Sequence, residues 1–360
     1  MGTVLVAGAT GLVGEAAVTA FAAAGWPVVA VSRRPLDPVP PGDVRHLPVD
    51  LTDAEACHAA FSNLEDVTHV VYAALYEKPG LIAGWREADQ METNLSMLRN
   101  LMQPLTAAAR LQHVTLLQGT KAYGAHLKQP PIPARERAPR DDHANFYWLQ
   151  EDHLKGHAQA RGFAWTIFRP QIIVGAAWGA AMNPLLAIGV WAALRRQQGL
   201  ANLPYPGGAP HVMELVDPRL LGEAFVWAAE APAAANETFN ITNGDVYAWP
   251  EVWPAIADAL GMQAGPDEPT RLAPLLAESA GAWADVVGKH GLRHIPLPAL
   301  LGESHHYADA LLRPGVDAIA LPILVSTVKL RQAGFAPCYD SEDTLRHWLR
   351  VMVERRLLPA

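Results

Sequence analysis

Short apolar runs alternate with amphipathic stretches through the first half of the chain. Residues 3–7 (TVLVA), 27–32, 67–74 and 113–117 are apolar runs of strand length. Runs without polar alternation are what strands buried on both faces look like. Between them, residues 12–24 form an alanine-rich amphipathic stretch, 53–62 open on the acidic cap Asp53, and 85–110 keep a helical period. Strands alternating with helices imply βαβ units, and hence a parallel sheet with right-handed crossovers. Two more strands are expected at 164–169 and 238–241, the second after a helix at 219–230. Proline and glycine mark loops at 129–140 and 203–210, and from about 249 the chain reads as helical pieces without a strand series. The fold expected is a doubly wound α/β parallel sheet over residues 1–175. A smaller, mainly helical lobe covers 176–360, and a segment at about 211–245 returns from it to the sheet.

Composition narrows the partners. Half of the 360 residues are hydrophobic, 18% are charged and the net charge is −8. That balance argues against a nucleic-acid or anionic membrane surface. No run of apolar residues is long enough to span a bilayer, and the first strand at residue 3 leaves no room for a leader, so a cytoplasmic location is expected. The two cysteines, Cys57 and Cys338, suggest neither a disulfide framework nor a metal site. Among fourteen histidines, His153 and His157 sit a helical turn apart, but HLKGH lacks the glutamate of HExxH. His305 and His306 are helix neighbours, about 100° apart around the axis, and are not expected to converge on one ion. No metal is expected.

The first helix opens on VAGATGLVG, with Gly8, Gly11 and Gly14 at dinucleotide-binding spacing directly after a strand. Gly8 suits the tight turn, Gly11 the close approach of a pyrophosphate, and Gly14 helix–strand packing, with Thr10, Leu12 and Val13 between them. This is a Rossmann-like start, with the helix N-terminus offering N–H groups to phosphate. The second strand ends VSRRP. Where a cofactor lacking a 2′-phosphate would meet an acid, Ser32, Arg33 and Arg34 offer a hydroxyl and two guanidinium groups, which points to NADP(H). Asp50 and Leu51 follow the third strand and suit the adenine. Ala73, Ala74 and Leu75 end the fourth strand, where small residues let the chain run along the cofactor.

None of the eight tyrosines has a lysine four positions on: Tyr147 is followed at that spacing by Glu151 and Tyr123 by Leu127. If a tyrosine–lysine pair works here, separate segments must supply it. Lys121 lies in QGTKAYG at the end of the fifth strand, and Tyr147 in NFYWLQED at the start of the next helix. With these motifs the chain resembles the progesterone 5β-reductase/iridoid synthase-like family of extended short-chain dehydrogenases. VTHVVYAALY, RPQIIVGAAWGAAMN and LVSTVKLRQAGF extend the resemblance over nearly the whole length.

The resemblance implies Lys121 and Tyr147 as the catalytic pair, with Trp148 replacing a second tyrosine of the motif. It implies Gln118, Tyr147, Ile173, Ala180, Ala181 and Met182 as further contacts of NADPH, beside the glycine loop. Gln118 and Ala122 depart from the family's usual threonine and histidine, and Ala74-Leu75 from a Thr-Trp pair. The implied activity is NADPH-dependent reduction of the activated C=C bond of α,β-unsaturated carbonyl compounds. In it Tyr147 stabilises the enolate oxygen and Lys121 steadies the charge. The partner is then a small hydrophobic carbonyl substrate, and a homodimer stays open. Trp178, Trp283 and Met213 are candidates for a hydrophobic cavity, though a core role is commoner for each. Two other readings compete: a carbonyl reductase or NAD-dependent epimerase/dehydratase, and a non-catalytic NADP(H)-binding sensor.

Overall fold

The computed structural model describes residues 2–79, 81 and 84–360. Its main sheet contains β1 (Thr3–Ala7), β2 (Val28–Val31), β3 (Val44–Leu47), β4 (Val67–Tyr72), β5 (His113–Leu117) and β6 (Ala164–Pro170). Short strands β7 (Ile172–Ile173), β8 (Asn202–Leu203) and β9 (Leu215–Val216) follow, before β10 (Glu237–Ile241) returns to the sheet; β11 (Gln263–Ala264) pairs with β8. The order across the sheet is β10-β6-β5-β4-β1-β2-β3, with every pair parallel. It is the doubly wound sheet the apolar runs predict, and the chain reverses its direction of growth between β1 and β4.

Alternation within a fully buried strand feeds two cores. Val4 and Val6 of β1 pack with Phe21 of α1 (Leu12–Ala23) on one face. Leu5 and Ala7 pack on the other with Phe61 of α2 (Ala54–Phe61), Leu98 of α3 (Ala88–Ala108) and Leu154 of α4 (Phe146–Arg161). Asp53 caps α2, its Oδ1 accepting from the N–H groups of Glu55 and Ala56 at 3.0 Å each. The helix expected over 85–110 starts later. Gly84–Arg86 form a 3₁₀ turn and α3 runs Ala88–Ala108, because Trp85 is drawn across to the end of β5.

The third core is helical. At its centre is α5 (Pro184–Gln197), buried over most of its length. Around it lie α7 (Trp249–Ala259), α8 (Leu272–Ala277), α9 (Ala280–His290), α10 (Leu297–Leu301) and α11 (Ser304–Leu312), packed on Trp191, Trp249 and Trp253. Trp283, a candidate cavity residue, belongs to this core at 2% exposure, and Met213 packs against its side. The rings of His305 and His306 lie 4.3 Å apart, closer than helix-neighbour geometry predicts. Among the described residues no three His, Cys, Asp or Glu side chains converge as a metal site would require. Nor is any described helix long and apolar enough to cross a membrane.

Asp217 joins the returning segment to the end of the chain. Fully buried, it caps α6 (Pro218–Glu230) through the Arg219 N–H at 2.8 Å and pairs with the Arg219 guanidinium. It also accepts from Thr344 of α13 (Ser341–Glu354) at 3.1 Å, and a short helix, α12 (Val328–Gln332), precedes that segment. Removing this carboxylate takes an acceptor from the Arg219 N–H, the Arg219 guanidinium and the Thr344 hydroxyl. Asp217→Ala is therefore expected to destabilise the fold by about 3 kcal/mol in denaturant titration.

Candidate active site

Two glycines set the cofactor end. Gly8 has φ +81°, and a Cβ there would lie 2.8 Å from the carbonyl carbon of Ala73. A Cβ on Gly14 would lie 2.1 Å from the Gly8 oxygen. The end of β1 is thus pressed against the end of β4, and α1 starts immediately at Gly11 with no side chain capping it. The first-turn N–H groups of Leu12, Val13 and Gly14 are the kind that donate hydrogen bonds to a phosphate. Beside them is a cleft of about 200 Å³ lined by Thr10, Arg34, Ala176, Ala177, Trp178 and Arg293, among others.

Arg34 stacks 3.6 Å above the Trp178 ring, and its Nη2 donates to the Trp178 carbonyl at 3.4 Å. Trp178, a candidate for a hydrophobic cavity, thus lines the cleft beside the start of α1. Arg33 is exposed and acts electrostatically on Asp50. Ser32 is buried and its hydroxyl donates to the Arg34 carbonyl at 2.6 Å, so it shapes the turn. Asp50 accepts from the backbone and side chain of Thr52, which hold its carboxyl below the usual range. Leu51 is buried, while its carbonyl accepts from Asn100 at 2.8 Å. Ala74 is half-buried and Leu75 exposed where the chain leaves β4. An uncapped helix start, a turn with glycine at both ends and flanking guanidinium groups fit the phosphates of a dinucleotide.

At the chemical end, Lys121 lies in a 3₁₀ turn, Thr120–Tyr123, directly after β5, and Tyr147 is the second residue of α4. Asn145 joins the two. Its Oδ1 accepts from the Tyr147 N–H at 3.0 Å, capping α4, and its Nδ2 donates to the Lys121 carbonyl at 3.1 Å. The Tyr147 hydroxyl reaches the β5 end, where a Cβ on Gly119 would lie 3.2 Å from it. Burial pushes this phenol well above its ordinary pKa, and Glu77 acts in the same direction.

Lys121 is enclosed. Its Nζ lies 3.5 Å above the Trp85 ring, 3.8 Å from Glu77 Oε1 and 4.0 Å from Met182 Sδ. Burial pulls the ammonium down to about 8, against the opposing charge of Glu77. Ala180, Ala181 and Met182 are half-buried in the loop after β7, and Ile173 is half-buried within β7.

Gln118, expected as a cofactor contact, has its amide committed elsewhere. It donates to Glu151 Oε2 at 2.8 Å and to the Tyr147 carbonyl at 3.3 Å, and accepts from Arg169 Nε at 2.8 Å. Burial alone would raise Glu151, but its bonds to Lys155, Gln118 and Arg140 outweigh this and hold it below its ordinary value. Arg169 continues to the Tyr123 hydroxyl, which donates to Asn240 of β10 at 2.6 Å. Trp148 lies beneath the Arg140 and Arg169 guanidinium groups at 4.9 and 5.7 Å.

Sequence reading missed Glu77, Trp85, Asn145 and Tyr307, the last reaching Tyr147 electrostatically from α11. An asparagine just before an amphipathic helix is a cap signal, and it was available at Asn145. The other three meet the site only through folding.

The sequence model of the NAD dependent epimerase/dehydratase family matches residues 4–242. An (S)-8-oxocitronellyl enol synthase of Nepeta racemosa is 31% identical over 307 residues, covering 80% of this chain and 77% of its own. The chain belongs to the progesterone 5β-reductase/iridoid synthase-like family of short-chain dehydrogenases. A 3-oxo-Delta(4,5)-steroid 5-beta-reductase of Arabidopsis thaliana is 29% identical over 99% of this chain and 92% of its own. Among solved structures, a UDP-glucose 4-epimerase of Thermotoga maritima superposes with a TM-score of 0.65, at 18% identity over 98% of both chains. That likeness concerns the fold. For this family member, Asn145→Ala removes the α4 cap and the tie to Lys121. It is expected to lower stability by about 1 kcal/mol in denaturant titration.

Proposed function

We propose that this protein reduces the C=C bond of small hydrophobic α,β-unsaturated carbonyl compounds with NADPH. The observation that carries the reading is the Asn145 bridge, which fixes the Lys121 turn and the Tyr147 helix start together without a YxxxK helix. The relatives' names add support: one is a steroid 5-beta-reductase and others are enol synthases.

The glycine loop would hold the pyrophosphate, Arg33 and Arg34 a 2′-phosphate, and the loop at Ala180, Ala181 and Met182 the nicotinamide end. Held there, the cofactor would supply the hydride that adds to the β-carbon. The C=C electrons then move onto the carbonyl oxygen as an enolate. Tyr147, kept a neutral phenol by burial, donates a hydrogen bond to that oxygen, a role typically worth about 10²–10³ in rate. Lys121 keeps positive charge nearby. Proton transfer from water to the α-carbon, which leaves hydroxide, would give the saturated carbonyl product.

The carbonyl survives this reaction, so a 2-enone such as cyclohexenone should consume NADPH and yield a saturated ketone, whereas carbonyl reduction would yield an alcohol. Tyr147→Phe should lower turnover by about 10²-fold while leaving NADPH binding intact. Unchanged turnover removes Tyr147 from the chemistry. The Arg33→Ala, Arg34→Ala double variant should weaken NADPH at least about tenfold more than NADH in fluorescence titration. Equal weakening of both counts against a 2′-phosphate site.

A further inference from the structure

After β4 the chain does not turn directly into α3. It first passes over the Lys121 turn, bringing Glu77 and Trp85 into the site. The Glu77 side chain is 6% exposed and that of Lys121 13%. One carboxylate oxygen, Oε2, accepts from Trp85 Nε1 at 3.1 Å and from Gln90 Nε2 at 2.7 Å. The other, Oε1, is buried without a hydrogen-bond donor among the described residues, and it is the oxygen 3.8 Å from Lys121 Nζ. At that distance the contact is one of charge, since a hydrogen bond needs a closer approach. Trp85 thus does two jobs: its indole N–H orients Glu77, and its ring face lies on the ammonium.

We propose that Glu77 is a positioning residue, the counter-charge that keeps the buried Lys121 cationic and fixed beneath the Trp85 ring during the reduction assigned above. Burying an ammonium disfavours its charge unless an opposite charge faces it. Trp85 and Met182, which also contact Lys121 Nζ, are uncharged. His126 faces it from beyond the 3₁₀ turn, but burial lowers this imidazole to about 4, so it is neutral when the enzyme works. Arg86, His143 and Asp141 act electrostatically on His126 as well. Tyr147 shares the field of Glu77, with Tyr307 and Arg169 beyond it. Burial raises the Glu77 carboxyl, against the Lys121 charge and the bonds from Gln90 and Trp85, and among the described residues it is the acidic group 3.8 Å from Lys121 Nζ.

The inference rests on Lys121 acting in enone reduction, so its test has one arm independent of activity. The first arm is the pH profile of kcat/KM with NADPH and cyclohexenone. The second is the pH dependence of Lys121 acetylation by acetic anhydride, read by mass spectrometry without substrate. Wild type should lose activity and gain acetylation as pH rises through the Lys121 titration, because the neutral amine is the reactive form. Glu77→Gln keeps an acceptor for Trp85 and Gln90 but removes the charge. It should move both midpoints down by about one pH unit or more. Glu77→Asp keeps the charge at greater distance, so a smaller shift in the same direction is expected. It carries the test if the glutamine variant does not fold. Midpoints unmoved in both variants overturn the proposal. A shifted acetylation midpoint beside unchanged Tyr147→Phe turnover leaves Glu77 as the holder of Lys121 and overturns the assigned reaction alone.

Discussion

Four neighbouring strands, β6, β5, β4 and β1, run in the same direction, and that common direction governs what can meet in this protein. All four release their chains at one edge of the sheet. The glycine turn after β1, the Glu77 segment after β4, the Lys121 turn after β5 and the loop following β6 and β7 are therefore side by side. In a sheet buried on both faces, that edge is where side chains and backbone N–H groups can face a ligand. The close fit of Gly8 against Ala73 brings two of these exits into contact. Asn145 then adds the start of α4, the element that carries Tyr147.

Beneath the edge lies a polar floor. Gln118, Glu151, Arg169, Tyr123 and Asn240 connect the ends of β5, β6 and β10 through buried hydrogen bonds. Each charge in it has an opposite partner: Glu151 faces Arg169, Arg140 and Lys155. Satisfied networks of this kind fix one arrangement of the groups above them, because any partial arrangement leaves a charge stranded in low dielectric. Gln118, which departs from the family's usual threonine, is the link between Glu151 and Arg169 here.

What was legible in the sequence was local. The apolar runs foretold β1, β4 and β5 because a doubly buried strand needs no polar positions. The glycines at 8, 11 and 14 foretold the turn because backbone geometry demands them, and Asp53 foretold the start of α2. Lys121 and Tyr147 became a pair only through family resemblance, since no periodicity links them. Glu77 and Trp85 stayed hidden for a physical reason: their partners sit on another strand's exit. Nothing in EKPG or GWRE marks a buried carboxylate. The Trp178–Arg34 contact stayed hidden on the same account, because Arg34 belongs to the second strand's exit.

The loop after β7 touches both ends of the site. Trp178 carries the Arg34 guanidinium, and Met182, four residues on, lies against the Lys121 ammonium. A loop that short cannot be altered at one end in isolation. Substitutions that move Trp178 beneath Arg34 will also shift Met182 beside Lys121. The Arg34 and Lys121 environments are thus coupled through about one turn's length of chain, and changes at Trp178 and Met182 are expected to combine non-additively.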